Sequence, residues 1–154
     1  MHVDPARAQY LADEQQDTCR ADHRIGNVEN GSVIVGNLLD TTGSHAFRWT
    51  QAEGVQLLGT MGGPSERARG ASADGSVVVG DWLDTSAVPV SVPVSHVYRW
   101  TQSEGGQDLG TLGGKWAFAT GVSGDGSVIV GGFGDTNGVV HVFRWTKSEA
   151  ARDP

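Results

Sequence analysis

Cysteine, positive charge and long apolar runs are all scarce in this sequence. The 154 residues include one cysteine, so no disulfide can form within the chain, and there is neither a CxxC motif nor a cysteine and histidine cluster with zinc-ligand spacing. Lysine and arginine number 11 against 18 aspartates and glutamates, which gives a net charge of −7. This charge repels phosphate backbones, so a nucleic-acid partner is not expected.

A membrane anchor and a secretion signal are not expected either. The most apolar stretch, AVPVSVPV at 87–94, is too short and too rich in proline to insert across a bilayer. The first residues, MHVDPARAQYLADEQQ, lack the apolar segment of a signal peptide. Proline is scarce at 5 residues, whereas the 23 glycines are about twice the usual ~7% share. This balance favours tight turns over disorder.

Three short sequence motifs recur along the chain, which predicts a repeat protein. They are NGSVIVG at 30–36 with DGSVVVG at 74–80 and DGSVIVG at 125–131, HAFRWT at 45–50 with HVYRWT at 96–101 and HVFRWT at 141–146, and LGTMGG at 58–63 with LGTLGG at 109–114. The separation from Trp49 to Gly75 equals that from Trp100 to Gly126, so the units share one register. The middle unit differs by an insertion, AVPVSVPVS at 87–95.

Each unit reads as four short antiparallel strands. A small-residue segment runs into Asp-Gly, which suits a two-residue hairpin turn, and then into the β-branched run that ends at glycine. The motif HAFRWT places its residues alternately on two faces, which predicts the third strand. The motif LGTMGG ends the fourth strand. Four antiparallel strands in about 45 residues is the size of a propeller blade.

The sequence therefore predicts an all-β fold, an incomplete β-propeller with under three blades. The units span about 24–63, 68–114 and 118–154, and the last is expected to be truncated before its fourth strand. Because propellers typically close with 4 to 8 blades, the chain is expected to close only by oligomerisation or within a longer protein. Residues 1–23 form a polar segment outside the repeat, read as a short helix or frayed tail, with a strand at 8–12 as the alternative.

The motifs HAFRWT, LGTMGG and GASADGSVVVG resemble those of the HAF family of probable extracellular repeats. The resemblance covers about 24–146, most of the chain. It implies a secreted or surface-associated bacterial protein. The first unit departs from the pattern, since Asn30 replaces the turn aspartate and Val28 the serine before it.

Recurring aromatic residues are predicted to form the core between units. They are Trp49, Trp100 and Trp145 together with Phe47, Tyr98 and Phe143. Arginines stand between these aromatics, and an unpaired buried guanidinium would be costly. Each arginine is therefore predicted to pair with an aspartate that ends the preceding strand, either within a unit or between neighbouring units. The pairs would draw on Arg48, Arg99 and Arg144 and on Asp40, Asp84 and Asp135. A functional anion site is the alternative.

No catalytic constellation stands out, so the chain is not expected to be an enzyme, nor to hold a metal or cofactor. GVSGD at 121–125 lacks the final glycine of a nucleophile elbow, and GGFGDTNG at 131–138 lacks GxGxxG spacing. His45, His96 and His141 recur in every unit, as residues needed for packing do. A ring of imidazoles that binds a metal is the alternative interpretation.

Two features point to partners. The Val/Pro insertion presents apolar groups on a stiff, extended loop, so Val88, Val90, Val92 and Val94 are candidate partner-binding residues. Trp116 is another candidate, because the aligned residue of the preceding unit is Ser65.

These features favour a non-enzymatic interaction module of a secreted or surface protein. It would associate with itself or with other repeats, and could bind a protein or carbohydrate ligand. The alternative is a lectin-like propeller subunit that completes its ring by oligomerisation, with tryptophans as sugar platforms.

Overall fold

The computed structural model describes residues 20–27, 32–59, 61–86 and 94–152, and these residues form an all-β structure. The strands are β1 (Arg20–Asn27), β2 (Val33–Asp40), β3 (Gly43–Thr50), β4 (Gly54–Leu57), β5 (Glu66–Ala71), β6 (Val77–Asp84), β7 (Val94–Thr101), β8 (Gly105–Gly110), β9 (Trp116–Val122), β10 (Val128–Gly134), β11 (Val140–Thr146) and β12 (Glu149–Arg152). No helix in this part of the chain is long and apolar enough to cross a membrane.

The strands form three antiparallel sheets of four strands each. Sheet 1 contains β1 to β4, sheet 2 contains β5 to β8, and sheet 3 contains β9 to β12. Within every sheet, strands that are consecutive in sequence are neighbours. The prediction of one small antiparallel sheet for each sequence unit is confirmed.

Two boundaries differ from the sequence prediction. β1 begins at Arg20, ahead of residue 24, where the first repeat is predicted to start. β12 pairs with β11 through Arg144 with Arg152 and Thr146 with Glu149, so the third unit has a fourth strand and the predicted truncation is wrong. The sequence of β12, EAAR, contains no β-branched or aromatic residue, which is why the pattern does not reveal it.

The recurring glycine of the second strand lies inside the strand rather than at its end. β6 continues through Gly80 to Asp84, although the sequence pattern predicts that it stops at the glycine. Gly80 pairs with Tyr98 of β7, and a Cβ atom on Gly80 would lie 2.7 Å from Cε1 of that ring and overlap the carbonyl of Arg67. The glycine recurs because an aromatic ring crosses it.

The Asp-Gly turn is larger than the predicted two-residue hairpin. In sheet 2 it spans Ala73–Ser76, and the Oδ1 of Asp74 accepts hydrogen bonds from the amide of Ser76 at 3.0 Å and the hydroxyl of Ser72 at 2.7 Å. These bonds lower the pKa of Asp74 to about 2. Gly75 has a φ of 67°, a conformation that glycine adopts without strain.

Each sheet has two different faces, because side chains alternate along a strand. We call the face that carries Phe47, Tyr98 or Phe143 the aromatic face, and the face that carries Arg48, Arg99 or Arg144 the arginine face. The arginine face of sheet 1 packs on the aromatic face of sheet 2, and the arginine face of sheet 2 packs on the aromatic face of sheet 3. The core thus consists of two layers between sheets.

The first layer sets Val33, Val35 and Ala46 against Ala68, Val78, Trp82, Tyr98 and Trp100. The second sets Val77, Val79 and Val97 against Ala117, Ala119, Ile129, Phe133 and Phe143, with Trp145 packed beside them. Of the six aromatic residues predicted for the core, Tyr98, Trp100 and Phe143 are buried. Phe47, Trp49 and Trp145 are half-buried.

Candidate functional site

The recurring histidine and aspartate form a pair at one end of each sheet. In sheet 1 the Nε2 of His45 lies 3.2 Å from Oδ1 of Asp40. Asp40 also accepts hydrogen bonds from the amide of Thr42 at 2.7 Å and from its hydroxyl at 2.6 Å. The Thr42 bonds, aided by His45, lower the pKa of Asp40 to about 2. The pair closes the turn between β2 and β3.

The same pair occurs in the other two sheets. His141 Nε2 lies 3.2 Å from Oδ2 of Asp135, and His96 Nε2 lies 3.9 Å from Oδ2 of Asp84. His96 also approaches a second carboxylate, with its Nδ1 at 3.1 Å from Oδ2 of Asp108. Hydrogen bonds from the neighbouring turns lower the pKa of Asp84 and of Asp135.

Two of the imidazoles also pack on aromatic rings. His96 meets Trp82 edge to face at a centroid distance of 5.0 Å, and His141 stacks on Phe133 at 5.2 Å. Each of these histidines is thereby held between a carboxylate and a ring. Among the residues whose placement is described, no group of three or more histidine, cysteine, aspartate or glutamate side chains is arranged to hold a metal ion.

The predicted pairing of the arginines with these aspartates is wrong for Arg48 and Arg99. Arg48 Nη1 donates to Oε2 of Glu53 at 2.7 Å, and Arg99 Nη1 donates to Oε2 of Glu104 at 3.0 Å. The arginines project from the arginine face, one strand length away from the aspartates, and the glutamates stand in the turn that follows each third strand. Arg144, the equivalent residue of sheet 3, is exposed.

The arginine and glutamate pairs also join neighbouring sheets. Arg48 Nε donates to the carbonyl of Gly75 in the Asp-Gly turn of sheet 2 at 2.9 Å. Glu53 accepts from Gln102 Nε2 of sheet 2 at 3.2 Å. At the next boundary Lys147 Nζ of sheet 3 donates to Oε1 of Glu104 at 2.6 Å. These polar side chains therefore link neighbouring sheets at the edge of each sheet-to-sheet contact.

The candidate partner-binding residues lie in different places. Val88, Val90 and Val92 fall outside the described residues, and Val94 begins β7 opposite Asp84. Trp116 begins β9, where its ring lies against Gly134 and stacks on Phe118 with a centroid distance of 5.7 Å. Trp116 is thus half-buried against its own sheet.

A buried polar cluster in sheet 2 is not predicted from the sequence. Glu66 is 2% exposed, its Oε1 accepts from the amide of Met61 at 2.5 Å, and burial raises its pKa. Asp81 is 3% exposed and accepts from Arg69 Nε at 2.5 Å. The hydroxyl of Tyr98 is buried with no hydrogen-bond partner among the described residues, and burial also raises the pKa of Tyr98.

Departure from the repeat is the signal that marks this cluster. Sheet 3 has Ala117 at the place of Glu66, and Gly132 at the place of Asp81. In the sequence register of the repeats, the first unit has Asp22 and Asn37 at the same two places, so these positions differ in all three units. A charge at a position that varies between repeats is a candidate for a special environment, whereas the recurring residues indicate the architecture.

The comparisons with known proteins bear on the fold. No protein-family model and no curated protein matches the chain. A similar solved structure is that of TolB from Acinetobacter baumannii, with a TM-score of 0.60 and 14% sequence identity. The match covers 84% of this chain and 31% of the TolB chain. TolB is a β-propeller protein, so this likeness shows a propeller-like fold.

Proposed function

We propose that the chain is a non-enzymatic structural and interaction module: a section of a β-propeller of the HAF-repeat type. The supporting observation is that its recurring polar residues form hydrogen bonds and ion pairs within and between the sheets. Arg48 bonds sheet 2 directly, and Glu104, the partner of Arg99, bonds Lys147 of sheet 3. The histidine and aspartate pairs close the hairpins. The residues that recur in the units therefore stabilise the sheets and the contacts between them.

The surroundings of the histidines support this reading over catalysis. A general base needs a ring nitrogen within hydrogen-bond reach of a substrate proton. His96 approaches Asp108 with Nδ1 and Asp84 with Nε2, and its ring rests on Trp82. The Nδ1 of His96 is therefore engaged by the protein itself, as is the Nε2 of His45 and of His141, which lies 3.2 Å from the aspartate of the same sheet.

The proposed setting is the cell surface or the extracellular medium, which the HAF resemblance supports. An antibody raised against the chain is expected to detect the natural protein in the culture medium or on intact cells. Detection in the cytoplasmic fraction alone would contradict this part of the proposal.

The enzymatic question is tested with purified protein and chromogenic ester, phosphate and glycoside substrates. We expect the rate of the buffer alone for the wild-type chain and for His96→Gln. Turnover that this substitution abolishes would show an enzyme. Binding to a sugar that is lost in a folded Trp116→Ala variant would instead support the carbohydrate-binding subunit.

A further inference from the structure

The arginine face of sheet 3 is open, although the same face is covered in sheets 1 and 2. Val142 is 67% exposed, whereas the equivalent Ala46 and Val97 are 1% and 0% exposed. Val130 is 44% exposed, and its equivalents Val35 and Val79 are 1% and 0% exposed. A β-sheet face of this composition is buried wherever the chain supplies a neighbour.

The aromatic face of sheet 1 is open in the same way. Val55 and Leu57, which pair with Trp49 and Phe47 on this face, are 48% and 55% exposed. Trp49 is half-buried, whereas Trp100, the equivalent residue of sheet 2, is 4% exposed. The first and last sheets thus each lack cover on one side among the described residues.

Sheet 3 has additional apolar groups on its open face. Trp116 and Phe118 stack on each other, and the Phe118 ring lies over Gly132, so both project from the side that carries Val142. Val140, on the same side, is 60% exposed. In sheet 2 the place of Phe118 is taken by Arg67, which faces Asp81. An exposed apolar patch of this kind is typical of an interaction surface.

The two open faces are the two halves of one interface that the chain already forms twice. Within the chain, an arginine face always receives an aromatic face. We propose that the arginine face of sheet 3 receives the aromatic face of sheet 1 from a second copy of the chain. The contact is head to tail, and it deepens the proposed function, on which it rests, by naming the partner.

Ring closure sets the number of copies at two. The described part of each chain supplies three sheets, and propellers typically close with 4 to 8 blades, so two copies give a ring of six whereas three copies exceed the range. Two copies placed head to tail are related by a two-fold axis and form two identical contacts. Every open face described above is then covered.

Solution mass tests the proposal with the full chain. We expect twice 16.2 kDa for the wild type by light scattering after size exclusion. Val142→Lys alters the arginine face of sheet 3, and Leu57→Lys alters the aromatic face of sheet 1, so each variant alone is expected at 16.2 kDa. Val139→Lys, in the connection between β10 and β11, is the matched control and is expected to keep the wild-type mass.

Mixing the two variants identifies the head-to-tail arrangement. An equimolar mixture of Val142→Lys and Leu57→Lys can form one unaltered contact, between the intact sheet 3 of one variant and the intact sheet 1 of the other. We therefore expect the mixture to recover a species of twice 16.2 kDa that neither variant forms alone. Far-UV circular dichroism checks that each variant remains folded, and Val140→Lys replaces Val142→Lys if that variant does not fold.

Three results would overturn the proposal. The first is a wild-type chain that stays monomeric at about 100 µM, where a dimer with a Kd near 1 µM would be almost fully formed. The others are a Leu57→Lys variant that still dimerises and a mixture that stays monomeric. The second result would show that sheet 3 pairs with itself. None of them affects the assay for turnover, so the proposed function and this inference can fail separately.

Discussion

At the scale of single residues, Arg48 connects two sheets with one side chain. Its Nε donates to the carbonyl of Gly75 in sheet 2, and its Nη1 donates to Glu53 in its own sheet. The guanidinium suits this position because its donors are fixed in a planar fork. The side chain is 10% exposed, so water cannot easily replace these partners.

We expect Arg48→Met to lower the free energy of unfolding by about 2 kcal/mol, because a buried carbonyl loses a charged donor. Arg144→Met is the matched control at the equivalent, exposed position, with an expected change within about 0.5 kcal/mol. Urea unfolding of protein dilute enough to be monomeric measures both values. Equal losses in the two variants would show that the contact with Gly75 contributes nothing.

The error over the arginine partners shows the limit of sequence reasoning at this scale. The sequence correctly indicates that a buried guanidinium needs a carboxylate, but both Asp40 and Glu53 lie within a few residues of Arg48. The choice depends on which face and which end of the strand each side chain occupies. Asp40 is already engaged by Thr42 and His45 across its own turn.

At the scale of the strand, the middle of β6 depends on a glycine. Tyr98 crosses the strand above Gly80, and this close approach leaves no room for a side chain. The same arrangement recurs in sheet 3, where Phe143 crosses Gly131. The glycine therefore determines how closely the aromatic ring can pack on its own sheet.

We expect Gly80→Ala to destabilise the chain by about 2 kcal/mol or more, because the added methyl group must displace a buried ring and a backbone carbonyl. Gly121→Ala is the control, since a Cβ atom there would have its nearest neighbour at 3.8 Å. Thermal unfolding followed by circular dichroism measures both. If both variants unfold at the same temperature, the ring does not restrict position 80.

The strands themselves follow largely from the sequence. Alternation and Asp-Gly turns identify most strands, because these signals lie within a few residues of one another. The sequence does not predict β12, because EAAR carries no such signal and its strand conformation depends on pairing with β11. The extension of β6 beyond Gly80 also depends on a partner strand, because Asp81 pairs with Val97 and Asp84 pairs with Val94 of β7.

At the scale of the whole molecule, sheet 2 is the only one of the three described sheets with both faces covered within the chain. Val78 and Val79 face opposite ways on β6, and both are 0% exposed. The repeats predict that sheets stack, but the sequence does not show which faces stay open. That distinction needs the spatial order of the sheets.

This arrangement predicts a gradient of protection from hydrogen exchange. In the monomeric Val142→Lys variant, the amides of β6 and β7 are expected to exchange most slowly, because opening them uncovers two core layers. The amides of β2 and β11 should exchange faster. Mass spectrometry of peptides from the exchanged protein measures this order, and slowest exchange in β2 or β11 would contradict it.

The hairpin between β6 and β7 has a consequence for engineering. Asp84 and Val94 are paired directly, so the peptide between them leaves and re-enters the sheet at neighbouring points, as does the shorter link between Asp40 and Gly43. Each doubling of loop length costs only about 0.6 kcal/mol. This hairpin is therefore a suitable site for grafting a foreign epitope or binding peptide, which the sheet would display without change to its own strands.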